Sequence, residues 1–277
     1  MMVDLFSSRI NELLPEPQAS LVVGMLFGTK ASMPGDFYES LIATGTIHMI
    51  ALSGMNVSII VALLFEGLGK YFGKWTRIGI TLGGIVGFVL LVGAGPTIVR
   101  ASIMGSLAVV AALVGRKSIP LLSLVIASII MIAFDSQVVS DISFQLSFLA
   151  TLGIILFAKK PTIDPVVAFE KALPHKQNYI VDVLKSDLRV TLAAQVFTLP
   201  LIFLYFGRIS LISPLANVAV GWLVAPIMYL GIVTILLSII FRPLGYVFSF
   251  ILWIPVTIFI WVITLLSKVP FASISLE

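Results

Sequence analysis

The sequence predicts an all-α polytopic membrane protein with about eight transmembrane helices. A broken or re-entrant segment is expected near residues 211–240 and a short interfacial helix near residues 19–29. Three observations carry this fold class. Of 277 residues, 59% are apolar and 11% are charged, where a soluble domain holds roughly 45–50% and about 25%. The mean hydropathy is +1.14. Long apolar stretches recur along the chain between short polar connections. A water-soluble globule cannot hide that much apolar surface, which excludes a soluble enzyme, a disordered chain and a fibrous protein.

The elements follow in order. Residues 1–18 are polar, and Pro15 and Pro17 are expected to break any helix there. Residues 19–29 are apolar but too short to cross about 30 Å of hydrocarbon, so they read as an interfacial piece. Residues 31–46 form a turn-rich approach through Pro34, Gly35 and Gly45. Spans are predicted over 47–65, 78–95, 98–114, 119–134, 142–158, 189–207, 211–240 and 244–267. The seventh stretch contains Pro214, Gly221 and Pro226, which predicts a broken helix. This gives an extracytoplasmic approach over 1–46, a transmembrane domain over 47–267 and a tail over 268–277.

Orientation comes from counting Lys and Arg. The side on which the first span begins holds Arg9, Lys30, Arg208 and Lys268, and the opposite side holds twelve basic residues. That bias puts the second side in the cytoplasm and both termini outside. The net charge of +4 is thereby explained without a nucleic-acid-binding patch.

Catalytic machinery is not visible. The chain has no cysteine, and its two histidines, His48 and His175, are far apart, so no metal site is expected. The segment GLGKYFGKW at 67–75 lacks the spacing of a phosphate loop, and no G-x-S-x-G elbow occurs. A Ser53–His48 dyad has no acid beside it. The expectation is a protein without catalytic residues or cofactor.

Several residues need a reason. Gly79, Gly83 and Gly87 put two overlapping GxxxG steps on one helix face, a packing signal. Arg100 lies inside a span. It either snorkels to the surface or faces a wet cavity and holds an anion. On one continuous helix, His48, Asn56 and Ser53 fall at about 0°, 80° and 140°, with Gly54 inviting a bend between them. They either bond to neighbouring helices or line a path for a polar passenger. Asp141 with Gln145, and Ser143 with Ser147 and Thr151, make two polar rows unsuited to a lipid-facing helix. Pro214, Asn217 and Pro226 expose backbone groups that only a buried or watery site satisfies.

At these same positions the chain resembles the ComEC competence family. HMIALSGMNVSII, GPTIVRASIMG, DISFQLSFLATLGIILF and TLPLIFLYFGRISLISPLANVAVGWLVAPIM are similar to that family's motifs, in the same order. PEPQASLVVGMLFGTKASMP resembles the stretch that leads into them. The resemblance implies a multi-pass inner-membrane channel that passes single-stranded DNA inward during natural transformation. His48, Ser53, Asn56, Arg100, Gln145, Ser147 and Asn217 become the candidates for the DNA path. Asn56 stands where the family signature carries a second histidine, so a role needing that proton does not transfer. The family also implies OB-like and metallo-β-lactamase-like domains that these residues do not contain. Separate OB-like or hydrolase-like subunits and a cytoplasmic motor are therefore expected partners, beside DNA and membrane lipids, with a homo-oligomer left open. Two other readings stand beside the channel: a small-solute or lipid-precursor transporter, and a membrane anchor that recruits DNA-processing subunits.

Overall fold

The computed structural model describes residues 2–29, 33–50, 54–68, 71–158, 179–269 and 273–275. Ser53, Lys30 and most of the charged loop at 159–188 lie outside the described residues. The protein is a helical membrane protein. Its helices are α1 (Met2–Leu13), α2 (Gln18–Phe27), α3 (Gly35–Ala43), α4 (Gly54–Ala62), α5 (Lys74–Val92), α6 (Pro96–Leu113), α7 (Pro120–Phe134), α8 (Ile142–Phe157), α9 (Tyr179–Phe206), α10 (Ser213–Ile240) and α11 (Arg242–Ser267). A 3-10 turn covers Ile47–Met49, and a π-helical turn over Leu63–Leu68 extends α4. Strands β1 (Arg208–Ser210) and β2 (Ser273–Ser275) pair antiparallel.

Five segments are long and apolar enough to cross a membrane: Ile47–Phe65, Lys74–Val92, Lys185–Phe206, Ser213–Ile240 and Arg242–Ser267. Where the other three spans are expected stand the apolar helices α6, α7 and α8, of 18, 15 and 16 residues. At 1.5 Å per residue they reach about 23–27 Å, short of about 30 Å of hydrocarbon. The ends of the helices are local in origin. Pro96, Pro120, Pro214 and Pro243 occupy first turns, where a missing N–H costs nothing. Asp141 caps α8, its Oδ1 accepting from the N–H groups of Ser143 (2.7 Å) and Phe144 (3.2 Å).

By contact, the chain divides into two units, Met1–Leu52 with Phe203–Glu277, and Ser53–Ile202. In the first, α10 and α11 form an antiparallel hairpin whose turn is tight at Gly245. A Cβ there would lie 2.6 Å from Ser238 Cβ. Against the hairpin lies α2, with Ala19 to Phe27 all buried. Gly231 brings α10 against it, since a Cβ would stand 3.0 Å from Leu26 Cδ1. In the second unit, α4 packs on α6 where Gly105 faces Val57 and Val61. Met131, Val138 and Phe144 make a small core closed by Val99 and Ile103. Gly153 of α8 approaches the Ala193 carbonyl of α9.

Four expectations are corrected. The stretch near 211–240 is one continuous 28-residue helix with Pro226 inside it, not a broken one. Packing along its length holds it, and Pro214 falls harmlessly at its start. The short helix near 19–29 exists but is buried in the first unit rather than interfacial. Residues 2–13 are helical, because Pro15 and Pro17 terminate that helix instead of preventing it. Finally, Gly79, Gly83 and Gly87 pack against nothing: a Cβ at each would meet open space among the described residues. The glycine that does pack on α5 is Gly84, against Leu64.

Two contacts of α11 bear on how the basic residues group. Glu12 of α1 lies 2.9 Å from Arg9 and 3.6 Å from Arg242 at the start of α11. At the other end of α11, Ser267 Oγ donates to Ser40 Oγ of α3 at 3.2 Å. Helix α11 is 26 residues, about 39 Å, long. Glu12 of α1 and Ser40 of α3 therefore stand at opposite ends of α11 in this unit. Moving Arg9 to join Arg242 changes the basic count from twelve against four to thirteen against three.

Candidate functional site

Two polar clusters emerge, one in each unit. In the second unit, Arg100 sits one turn into α6 and is only 6% exposed. It neither snorkels to the surface nor meets an acid: among the described residues no carboxylate lies within 4.0 Å of it. Its Nη1 donates to the backbone carbonyl of Ser147 and to Thr151 Oγ1, both on α8. Thr151 Oγ1 in turn donates to the same Ser147 carbonyl at 2.9 Å. The Arg100 Nε and the Ser102 Oγ are buried without a hydrogen-bond partner. Gly54, at the start of α4, leaves space over the guanidinium, since a Cβ there would come 3.8 Å from Nη2. Asn56 is buried on the same helix.

The electrostatics of this arrangement are simple. Two neutral acceptors orient the guanidinium but do not cancel its charge. A cation at the centre of an apolar helix costs about 2.5–3.5 kcal/mol on insertion scales and less towards its end, and among the described residues no carboxylate offsets the charge of Arg100.

In the first unit, His48 lies in the 3-10 turn and is exposed, its Nδ1 2.9 Å from the Gly45 carbonyl. Gly45 has φ +67°, and a Cβ on it would clash with Ser213 at 2.8 Å. Ser213 Oγ accepts from Asn217 Nδ2 at 3.4 Å, while Asn217 Oδ1 is buried without a partner. Thr44 and Thr46 bridge their hydroxyls at 2.9 Å beneath the turn, and Ser210 Oγ donates to the Ala43 carbonyl at 2.8 Å.

The structure thus brings Arg100, Ser147 and Gly54 together, while His48 bonds to Gly45 and Asn217 to the Ser213 that Gly45 packs against. His48 lies in a 3-10 turn and Asn56 in α4, and residues 51–53 between them, with the Ser53 of the expected helical wheel, lie outside the described residues. Gln145 turns back on its own helix start, donating to the Val139 carbonyl at 2.9 Å. Ser147 contributes its carbonyl rather than its hydroxyl. Thr151, Ser102, Gly45 and Ser213 complete the two clusters without having stood among the candidates. Only Thr151 had a signal, its i+4 spacing from Ser147. Among the described residues, no group of three or more His, Cys, Asp or Glu is placed to hold a metal ion.

The sequence profile described as "Competence protein" matches residues 25–277. "ComE operon protein 3" of Bacillus subtilis (strain 168) is 25% identical over 218 residues, 74% of this chain and 25% of that protein. An "Uncharacterized protein" of Aquifex aeolicus (strain VF5) is 27% identical over 163 residues, 57% of this chain and 37% of that one. The chain thus spans between a quarter and two fifths of the length of these relatives. No solved structure matches it.

Proposed function

We propose a function from one premise: the chain belongs to the competence protein family, over residues 25–277. It is a membrane component of DNA uptake in competence, and its own part is a path for single-stranded DNA across the inner membrane. Arg100 carries this reading at the level of residues. A phosphodiester strand cannot cross lipid. It needs a hydrated route with sparse positive charge, weak enough in hold that the strand moves on. One buried guanidinium with no carboxylate beside it among the described residues, oriented by a carbonyl and a hydroxyl, suits that task better than a ladder of arginines. In the first unit, taken by itself, Asn217 and His48 offer hydrogen-bonding groups of the kind that bases and phosphates engage. The chain performs no chemistry of its own in this reading. A motor and DNA-processing subunits supply the force and the single strand.

The revised charge count supports an orientation with the Arg9 and Arg242 end in the cytoplasm. The N-terminal helix α1 then faces inward, and the Ser267 end of α11 faces out.

Arg100→Gln tests the path. It keeps the hydrogen-bonding shape and removes the charge. Losing one charge-assisted contact of about 1.5–3 kcal/mol should cut DNA transfer by about ten- to a hundredfold. Transformation frequency measures the loss, with an immunoblot of membranes to confirm unchanged abundance. Wild-type transfer by Arg100→Gln would remove the proposal. Solute uptake in vesicles with no effect on DNA would favour the transporter instead.

A further inference from the structure

We infer that the basic end of the second unit holds the phosphate of an anionic phospholipid, in a cavity lined by Lys74 and Arg77. This site is separate from the Arg100 cluster and does not depend on the transport reading. The cavity measures about 310 Å³ and is walled by Phe65, Phe72, Lys74, Arg77, Ile78 and Ala112. The Arg77 guanidinium carbon stands 3.7 Å above the Phe65 ring centroid. That stacking fixes the plane of the guanidinium and leaves its edge donors for another group. Its Nε is buried with no hydrogen-bond partner. No carboxylate among the described residues pairs with either cation. The cavity therefore offers two positive groups, one of them rigidly oriented, to an anion that no described side chain supplies.

The surroundings favour a lipid as the source. Helix α5 is long and apolar enough to cross a membrane and starts at Lys74, so the cavity lies at headgroup depth. Tyr71 and Trp75 flank it at 75% and 77% exposure, the position of an aromatic belt. Farther along α5, Val86 and Leu90 are exposed for acyl chains to follow. A basic pocket between transmembrane helices is a physical match for a phosphodiester headgroup.

Native mass spectrometry of the full chain tests this, with phosphatidylglycerol and phosphatidylcholine offered together. Phosphatidylglycerol should be retained preferentially. The double variant Lys74→Gln with Arg77→Gln should lose that preference by about tenfold or more, as two charge-assisted contacts go. The pair Arg116→Gln with Lys117→Gln, exposed cations that do not line the cavity, should retain it. Lys74→Gln alone, at an exposed position, should weaken retention even if the double variant fails to insert. Equal retention by wild type and the Lys74 and Arg77 variants would overturn the site. Equal loss in the Arg116 and Lys117 pair would reduce it to diffuse attraction. Displacement of the lipid by single-stranded oligothymidylate, with the same dependence on Lys74 and Arg77, would reassign the cavity to nucleic acid.

Discussion

A guanidinium held by one carbonyl and one hydroxyl keeps its whole charge, and at Arg100 that charge is buried. Thr151 is the neighbour that decides how firmly it is held. Thr151→Val keeps the shape and removes one acceptor, so denaturant unfolding in detergent should show a loss of about 1 kcal/mol. Asn217 behaves differently. Its one bond to Ser213 is long, and its oxygen is already unpaired. Asn217→Leu should leave stability unchanged or improved in the same assay, so any fall in DNA transfer reports a role in the path rather than in the fold. The sequence made Arg100 and Asn217 legible because a cation or a primary amide in an apolar helix is conspicuous. It could not show Thr151 or Ser213 as their partners. Threonine and serine are common in membrane helices, and what they bond to is set by a neighbouring helix far along the chain.

At the scale of elements, small residues mark close approach only where another helix is present to approach. Gly24 is such a place, with Ile50 Cγ2 2.5 Å from where its Cβ would be. Gly24→Val should destabilise the first unit by about 1–3 kcal/mol, read as a lowered midpoint of thermal unfolding. Gly79, Gly83 and Gly87 are the opposite case. With open space around each, alanine there should stabilise the isolated chain by up to about 1 kcal/mol per site, through helix propensity alone. Loss of Asp141 as a cap, by Asp141→Ala, should cost about 1 kcal/mol. Hydropathy made the helices themselves legible, since an apolar run of that length has few other forms. It misjudged the helix around Pro226 and the one before Pro15. Whether a proline breaks a helix depends on its place in the turn and on the packing around it.

At the scale of the molecule, sidedness was legible only in part. The basic bias is a property of the sequence, whereas the grouping of Arg9 with Arg242 comes from a contact between residues 12 and 242. The absence of cysteine from the natural sequence makes a direct test simple. Single cysteines at Ser8 and Arg116 should react with an impermeant maleimide only from the cytoplasmic side, and one at Ser40 only from outside. Reaction of the Ser8 variant from outside would instead place both termini on the extracytoplasmic face.

The first unit joins residues 1–52 to residues 203–277. During synthesis, the buried face of α2 emerges early, yet the α10 surface that covers it is translated some 200 residues later. Those apolar side chains must wait in lipid or against the insertion machinery while the whole intervening unit is made. Closure of this half of the protein is thus a late event, and a chain stopped before residue 203 leaves its own beginning uncovered.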